Sequence, residues 1–582
     1  MPRTEQKKTF ISRDGYNIAY RCFPVGSAVE VSARPFVILF HRESDFSCET
    51  ASYVEKLDFP DYNILSLDMD DSDIRVDKGQ KGSDISRQAD YFQQFIEHVK
   101  LEYGIRDSDI AIISHSDRAI TITTWIVDYA ANISSAVFYS PLFLSKKYDG
   151  LYFSFKNWLY KNINKYFPKQ VGTAVRVSSG QNNNHPLKDE GLFTDSLSRQ
   201  QRRDLLYTGE RIFRSSFSYH VPTQIILSSR KKMGAIRSLL IFYANIGSDD
   251  KELFIPPDLY HKDASNVLLR RERDFISGHF QKTHLTPSLF DSHIKGVTKD
   301  EYEKLRLPES NVFRRIYWAV NKFALRHVGR LSTGIKLGLT TGFDSGISLD
   351  YIYKNEPSGD NLIGKNLDRC YLANIGWHCT RMRKVHVEEL ILLATERLAE
   401  ERQKIRILDV AAGHGSYIIN TIGKIAHPIE HVLMRDFVES NVHDGNALIQ
   451  QHKLAQTVTF EQGDAFSSSD MATLPRNRTL TIVSGFYELF SDNSLVLISL
   501  EGIANATQDG GYLIYTTKLW NPKLDYMARV LMSHKQGEYW LLRRRTQLEI
   551  DQLVNQAGFV KITQRMDPWG MFSVTLARKE AG

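Results

Sequence analysis

Two series of short apolar runs, each broken by longer stretches of helical periodicity, constrain this chain more than any other feature. In the first series the runs are Phe36–Phe40, Asn63–Leu67, Ile110–Ile113, Ala136–Tyr139 and Gln224–Leu227. In the second they are Arg406–Val410, His431–Met434, Val458–Glu461, Leu480–Val483, Tyr512–Tyr515 and Phe572–Ala577. Short apolar runs alternating with helix-length segments are the pattern of parallel sheets covered on both faces. A chain of 582 residues also exceeds the ~250–300 at which a single core stops growing. The expected class is therefore α/β with two sheets in two domains. The least patterned stretch between the series, about Thr283–Pro308, places the boundary. The reading divides the chain into 1–285, a linker 286–308, a helical segment 309–400 and a second α/β core 401–582.

Charge narrows the partners. The net +6 is spread over 74 basic and 68 acidic side chains, and no Lys/Arg stripe with interleaved aromatics appears, so no nucleic-acid partner is expected. Four cysteines are too few and too scattered for a disulfide framework. Cys370 and Cys379 lack metal-ligand spacing, and no metal is expected. No signal peptide is expected from the polar start, Met1 to Lys8. No run approaches the ~20 apolar residues of a spanning helix. A cytoplasmic protein is expected, with peripheral membrane contact permitted and the oligomeric state open.

In the second series, Asp409 stands at the end of its strand, and Ala411, Gly413 and Gly415 follow in a turn that enters the helical Tyr417–Ile425. Ligands of open α/β sheets bind outside the carboxyl ends of strands, where the strand order reverses. Glycines there let backbone approach a ligand closely. Three later strand ends carry polar groups in succession. They are Asp436, then Gly463-Asp464-Ala465-Phe466, then Ser484-Gly485-Phe486-Tyr487-Glu488. A carboxylate at such a place can accept hydrogen bonds from hydroxyl or amino donors.

At these residues the half resembles the class I S-adenosylmethionine-dependent methyltransferases. More narrowly, residues ~306–582 are similar to a bacterial family in which an α/β-hydrolase-like domain precedes the methyltransferase. The matching segments run from Thr341-Gly342-Phe343-Asp344-Ser345-Gly346 through Ala411-Ala412-Gly413-His414-Gly415 to Trp569-Gly570. The resemblance implies a Rossmann-like sheet with an N-terminal helical cap, and S-adenosylmethionine as cofactor. It implies that Asp409, Ala411, Gly413 and Gly415 hold the methionine part, Asp436 the ribose, and Asp464, Ala465 and Phe466 the adenine. Ser484 completes the cofactor-binding set, and Glu488 and Tyr487, the catalytic candidates, would face the transferred methyl. His414 is read as a solvent-facing turn residue, or else as a third candidate base. Arg543-Arg544-Arg545 is read as a solvated basic run, or else as a grip for an anionic substrate.

The first half resembles the lipase/esterase branch of the α/β-hydrolase fold over ~8–285. Ser116, in Ser114-His115-Ser116-Asp117-Arg118, stands where the nucleophile of a G-x-S-x-G elbow belongs. Ser114 and Arg118 replace the elbow glycines, and Lys231 falls where the triad acid is expected. His261 occupies the place of the triad histidine. A lysine beside an imidazolium reverses the triad's electrostatics, so the half is read as a degenerate hydrolase. The expected function is methyl transfer to a small-molecule or lipid-related acceptor. The alternatives are an esterase or lipase-type hydrolase using Ser116 and His261 with a regulatory cofactor domain, and a non-enzymatic binding protein.

Overall fold

The structure is a computed structural model. It describes residues 3–25, 31, 34–41, 50–57, 59–69, 84–143, 199–227, 233–255, 262–280, 282, 286–535 and 537–580. The chain divides into two compact units, Met1–Pro287 and Ser288–Gly582.

The first unit holds the strands β1 (Gln6–Ile11), β2 (Asn17–Phe23), β3 (Phe36–His41), β4 (Asn63–Asp68), β5 (Ile110–His115), β6 (Ser135–Tyr139), β7 (Thr223–Ile226) and β8 (Lys251–Phe254). They form one sheet in the order β1-β2-β4-β3-β5-β6-β7-β8. From β4 to β8 the strands run parallel, and β1 and β2 form an antiparallel edge. The central strands are buried at every position, for example Phe-Val-Ile-Leu-Phe-His in β3. That is why their sequences read as continuous apolar runs. At the edge, β2 alternates between exposed and buried positions over Asn17–Tyr20, because one face there meets water. The parallel sheet expected from the apolar runs thus carries an antiparallel edge built by the hairpin of β1 and β2.

The second unit contributes β9 (Ile405–Val410), β10 (Ile429–Asp436), β11 (Val458–Gln462), β12 (Arg478–Val483), β13 (Thr507–Lys518), β14 (Phe559–Met566) and β15 (Phe572–Lys579). Their order is β11-β10-β9-β12-β13-β15-β14. β15 runs antiparallel to both β13 and β14, while the other pairings are parallel. The chain moves outward from β9 to β11, then returns to the other side of β9 with β12, so a crevice opens at the carboxyl ends of β9 and β12.

Helices precede this sheet, as the cap reading expected. Their starts are set by side-chain caps. Asn311, Ser332, Ser345, Asn361 and Asn374 each accept a backbone N–H of the following first turn, an interaction worth about 0.5–2 kcal/mol apiece. The last helix, Ile375–Glu400, buries Val387, Leu390, Ile391, Ala394 and Leu398 in the core of the sheet. Asp368, fully buried, ties the helices together. It accepts the Gly334 amide at 2.8 Å, the Ser358 amide at 2.9 Å, and the hydroxyls of Ser332 and Tyr351.

The stretch 286–308 is not a bare linker. It forms a turn at Phe290–His293 and a helix at Val297–Arg306, whose Leu305 is buried in the cap core. Arg543 reaches Ser292 and Thr298 within it. Its mixed charge concealed the two residues, Thr298 and Leu305, that turn inward.

Candidate functional site

A cavity of about 690 Å³ lies at the carboxyl ends of β9, β10, β11 and β12. Each strand end supplies a segment of its wall: Val410 to Tyr417, Arg435 to Val438, Gly463 to Phe466, and Ser484 to Phe486. The cap closes another side with Asp350, Tyr353, Arg383 and Lys384.

The turn after β9 is shaped by backbone that few residues adopt. Ala411, Gly413 and Gly415 all have positive φ, at 61°, 61° and 69°. A Cβ on Gly413 would meet nothing within 4 Å, while one on Gly415 would strike the Met434 sulfur at 2.6 Å. Gly413 therefore leaves the backbone open to a ligand, and Gly415 suits its left-handed backbone beside the Met434 side chain of β10.

Asp436 lines the cavity at the end of β10. Its carboxylate accepts the Gly413 amide at 2.8 Å, the Val438 amide at 2.9 Å and the Asn441 side-chain amide at 2.9 Å. Three donors fix its orientation and leave acceptor capacity toward the cavity. Asp464 accepts the Phe466 amide at 2.9 Å, which folds the turn after β11. Phe466 stacks on Phe486 with ring centroids 5.0 Å apart, and Phe490 meets both rings edge-on. These three rings form an aromatic wall at the β11–β12 end of the cavity.

Asp409 does not reach the wall. It is completely buried at the end of β9, and neither carboxylate oxygen meets a donor at hydrogen-bond geometry. Burial pushes its pKa up to about 8, with the Tyr417 hydroxyl opposing the rise and Asp436 adding to it. A buried carboxyl this poorly compensated favours a cation placed nearby. The donor set therefore fits a ligand with a positive centre over the β9 turn, hydroxyls toward Asp436 and a flat ring along Phe466.

Ser484 lines the cavity, but the two catalytic candidates after it, Tyr487 and Glu488, do not. Tyr487 points into the core of the unit, where its hydroxyl donates to Ser499 at 3.0 Å. The short helical turn Tyr487–Leu489 rotates Phe486 and Leu489 toward the cavity and Tyr487 away from it. Glu488 is also buried, with one oxygen 3.4 Å from Arg383. Tyr487 is therefore corrected from catalytic residue to packing residue. Glu488 meets the cavity lining through Arg383, whose Nη1 lies 2.4 Å from where a Cβ on Gly485 would be.

Two further readings change. His414 is not a solvent-facing turn residue. It is 9% exposed, and its Nδ1 stands 3.1 Å from Asp350 of the cap. That pairing raises its pKa against the opposing effect of burial. Arg543, Arg544 and Arg545 are buried rather than solvated. Arg543 pairs with Glu549 at 2.7 Å and Arg544 with Glu301 at 2.8 Å, and Arg545 donates to Asn493 and to the Tyr487 and Phe490 carbonyls. They brace the unit and do not grip a ligand.

In the helix before β9, Arg383 lines the cavity, whereas Arg381 donates to the carbonyls of Ile352 and Leu372. Sequence missed Asp350, Tyr353 and Lys384, since helical periodicity alone does not say which turn faces a distant strand end.

In the first unit Ser116 follows β5 with φ 49°, the left-handed backbone of a nucleophile elbow. Arg118 does press into the helix–strand contact: it is buried, lies over the Phe40 ring and donates to the Met69 carbonyl at 2.7 Å. His261 and Lys231 lie outside the described residues. Among the described residues no group of three His, Cys, Asp or Glu side chains could hold a metal, and no helix is long and apolar enough to cross a membrane.

Comparison with known proteins divides the chain as the sheets do. A family model described as "Putative methyltransferase" matches residues 272–579, and one described as "Serine aminopeptidase, S33" matches 31–264. The chain is 33% identical over 589 residues to "Uncharacterized protein YnbC" of Escherichia coli (strain K12), covering 98% of this chain and 97% of that protein. Among solved structures, a possible exported protein from Bordetella parapertussis is similar at 16% identity and a TM-score of 0.36, covering 50% of this chain and 97% of its own. An O-methyltransferase family protein from Burkholderia thailandensis is similar at 13% identity and a TM-score of 0.28, covering 50% and 99%.

Proposed function

The chain belongs to the family described as "Putative methyltransferase", and from that premise we propose that its second unit binds S-adenosylmethionine in the cavity and methylates a small-molecule or lipid-related acceptor. The observation that carries the reading is the cavity itself, walled by four successive strand ends with an uncompensated buried acid beneath it. When bound, the cofactor supplies a methyl group on a sulfonium whose sulfur leaves with the bonding pair.

The protein's share is binding and alignment, and proximity alone can supply ~7–11 kcal/mol of the barrier. Asp436 accepts the ribose hydroxyls, Asp464 and the backbone at Ala465 face the adenine edge, and Phe466 flanks its ring. Ala411, Gly413 and Gly415 let the methionine part approach the β9 turn, and Asp409 favours its positive charge from beneath. Ser484 and Arg383 border the face from which an acceptor reaches the methyl. Glu488 is a positioning residue for Arg383. Incubation of the full chain with methyl-labelled cofactor and a small-molecule extract, followed by mass identification of the product, tests the reading. A labelled product that falls with Asp436→Ala at sub-saturating cofactor supports it, and no label transfer from any extract contradicts it.

The first unit has the α/β-hydrolase fold, and we propose that it does not hydrolyse esters. The buried Arg118 and the absence of glycine at position 114 support this. The preserved strain at Ser116 favours the second reading, an esterase. Ester turnover lost on Ser116→Ala would select it.

A further inference from the structure

The helix Val312–His327 buries only Trp318 of its sixteen residues. Along one face run Phe313, Ile316, Tyr317, Val320 and Phe323, with exposures of 83%, 57%, 56%, 61% and 64%. Their spacing of three and four residues puts them on a single stripe. Isolated exposed apolar residues are ordinary in soluble proteins, but a contiguous aromatic and aliphatic stripe marks an interaction surface.

The charge on the helix says what the surface meets. Residues 312–328 contain no aspartate or glutamate. Arg314, on one flank, is already held by Glu309 at 3.2 Å and Asp525 at 3.3 Å. Arg315, Lys322 and Arg326 recur at intervals of seven and four residues, so they form a basic row on the other flank. Lys322 lies over the Tyr539 ring, while Arg315 and Arg326 are exposed.

We propose that this helix seats on an anionic phospholipid surface, its stripe at the boundary of headgroups and acyl chains and Arg315 and Arg326 on the lipid phosphates. An apolar face edged by cations is the form of helices that lie in a membrane interface, and long basic side chains reach headgroups while their stems stay apolar. At about 1.5 Å per residue the helix is too short to span a bilayer but long enough to lie along one. A second copy fits less well. Two such stripes placed face to face would bring basic rows together with no acid on either helix to meet them. The surface is separate from the cavity, so the assignment stands whether or not the acceptor is lipid-related.

Co-sedimentation of the full chain with vesicles tests it. Phosphatidylcholine vesicles containing phosphatidylglycerol should bind the protein at least about tenfold more tightly than phosphatidylcholine alone, with the difference shrinking at high salt. Phe313→Ser combined with Val320→Ser should abolish binding, and Arg315→Glu combined with Arg326→Glu should remove the preference for the anionic lipid. All four side chains are exposed, so the unfolding midpoint should not move. Absence of binding to the anionic vesicles overturns the proposal, as does equal binding to both kinds. A dimer that binds no vesicle and is broken by Phe313→Ser with Val320→Ser would assign the face to a second copy instead.

Discussion

The Asp436 carboxylate accepts the backbone N–H of Gly413 at 2.8 Å, so the acid at the end of β10 holds the glycine turn at the end of β9. One group thereby shapes the cavity and faces into it. Replacing Asp436 with Ala should weaken S-adenosylmethionine binding by about 1–3 kcal/mol, because buried donors lose their acceptor. Calorimetric titration checks this, and unchanged affinity would remove Asp436 from the site.

Asp409 should make the binding of a cationic ligand pH-dependent. Its carboxyl, at about 8 in the folded chain, ionises near 3.9 when unfolded. The folded protein therefore holds a proton that the unfolded chain has lost, and the stability this group contributes falls as pH rises from about 4 through 8. Asp409→Asn should remove that decline, so its unfolding midpoint should gain most over wild type at pH 8 and least at pH 5. A cationic ligand favours the ionised acid, so wild-type affinity should rise toward pH 8 while that of Asp409→Asn stays flat. Parallel pH profiles for the two proteins would contradict this.

Glu549 is a structural anion. Its pairing with Arg543 leaves both side chains 0% exposed, and Arg545 lies 3.9 Å from the same oxygen. Burial and the neighbouring Arg543 already push Arg545 down to about 10. Glu549→Ala would leave these cations uncompensated, and a loss of about 3–5 kcal/mol is expected. Denaturant unfolding of the second unit measures it; a loss below about 1 kcal/mol would show the pair to be dispensable.

The His414–Asp350 pair fastens the cap to the β9 turn. Asp350 raises the His414 pKa above its ordinary 6.5. A raised histidine stabilises the fold at pH below 6.5, and that contribution is lost as pH climbs through the raised value. Wild type should therefore exceed Asp350→Asn in thermal stability at pH 6, with the gap closing as the solution becomes alkaline. A gap that does not change with pH would show that the pair's charge plays no part.

The central strands were legible because burial on both faces leaves an apolar run with no other explanation. β8, the short half-buried Lys-Glu-Leu-Phe, and β14, whose exposed and buried residues mix, carried no such run. Charged residues were the least legible. Arg543 to Arg545 look solvated until Glu301, Asn493 and Glu549 are brought to them from elsewhere in the chain, and His414 until Asp350 is. Tyr487 failed for a local reason: in a short helical turn adjacent side chains point in different directions, and sequence does not say which one faces the ligand.

The most direct test of the account is a calorimetric titration of S-adenosylmethionine into the full-length chain. Saturable binding at one site, weakened about 5- to 150-fold by Asp436→Ala, is the predicted result. No saturable heat up to millimolar cofactor, or binding indifferent to Asp436, would contradict it.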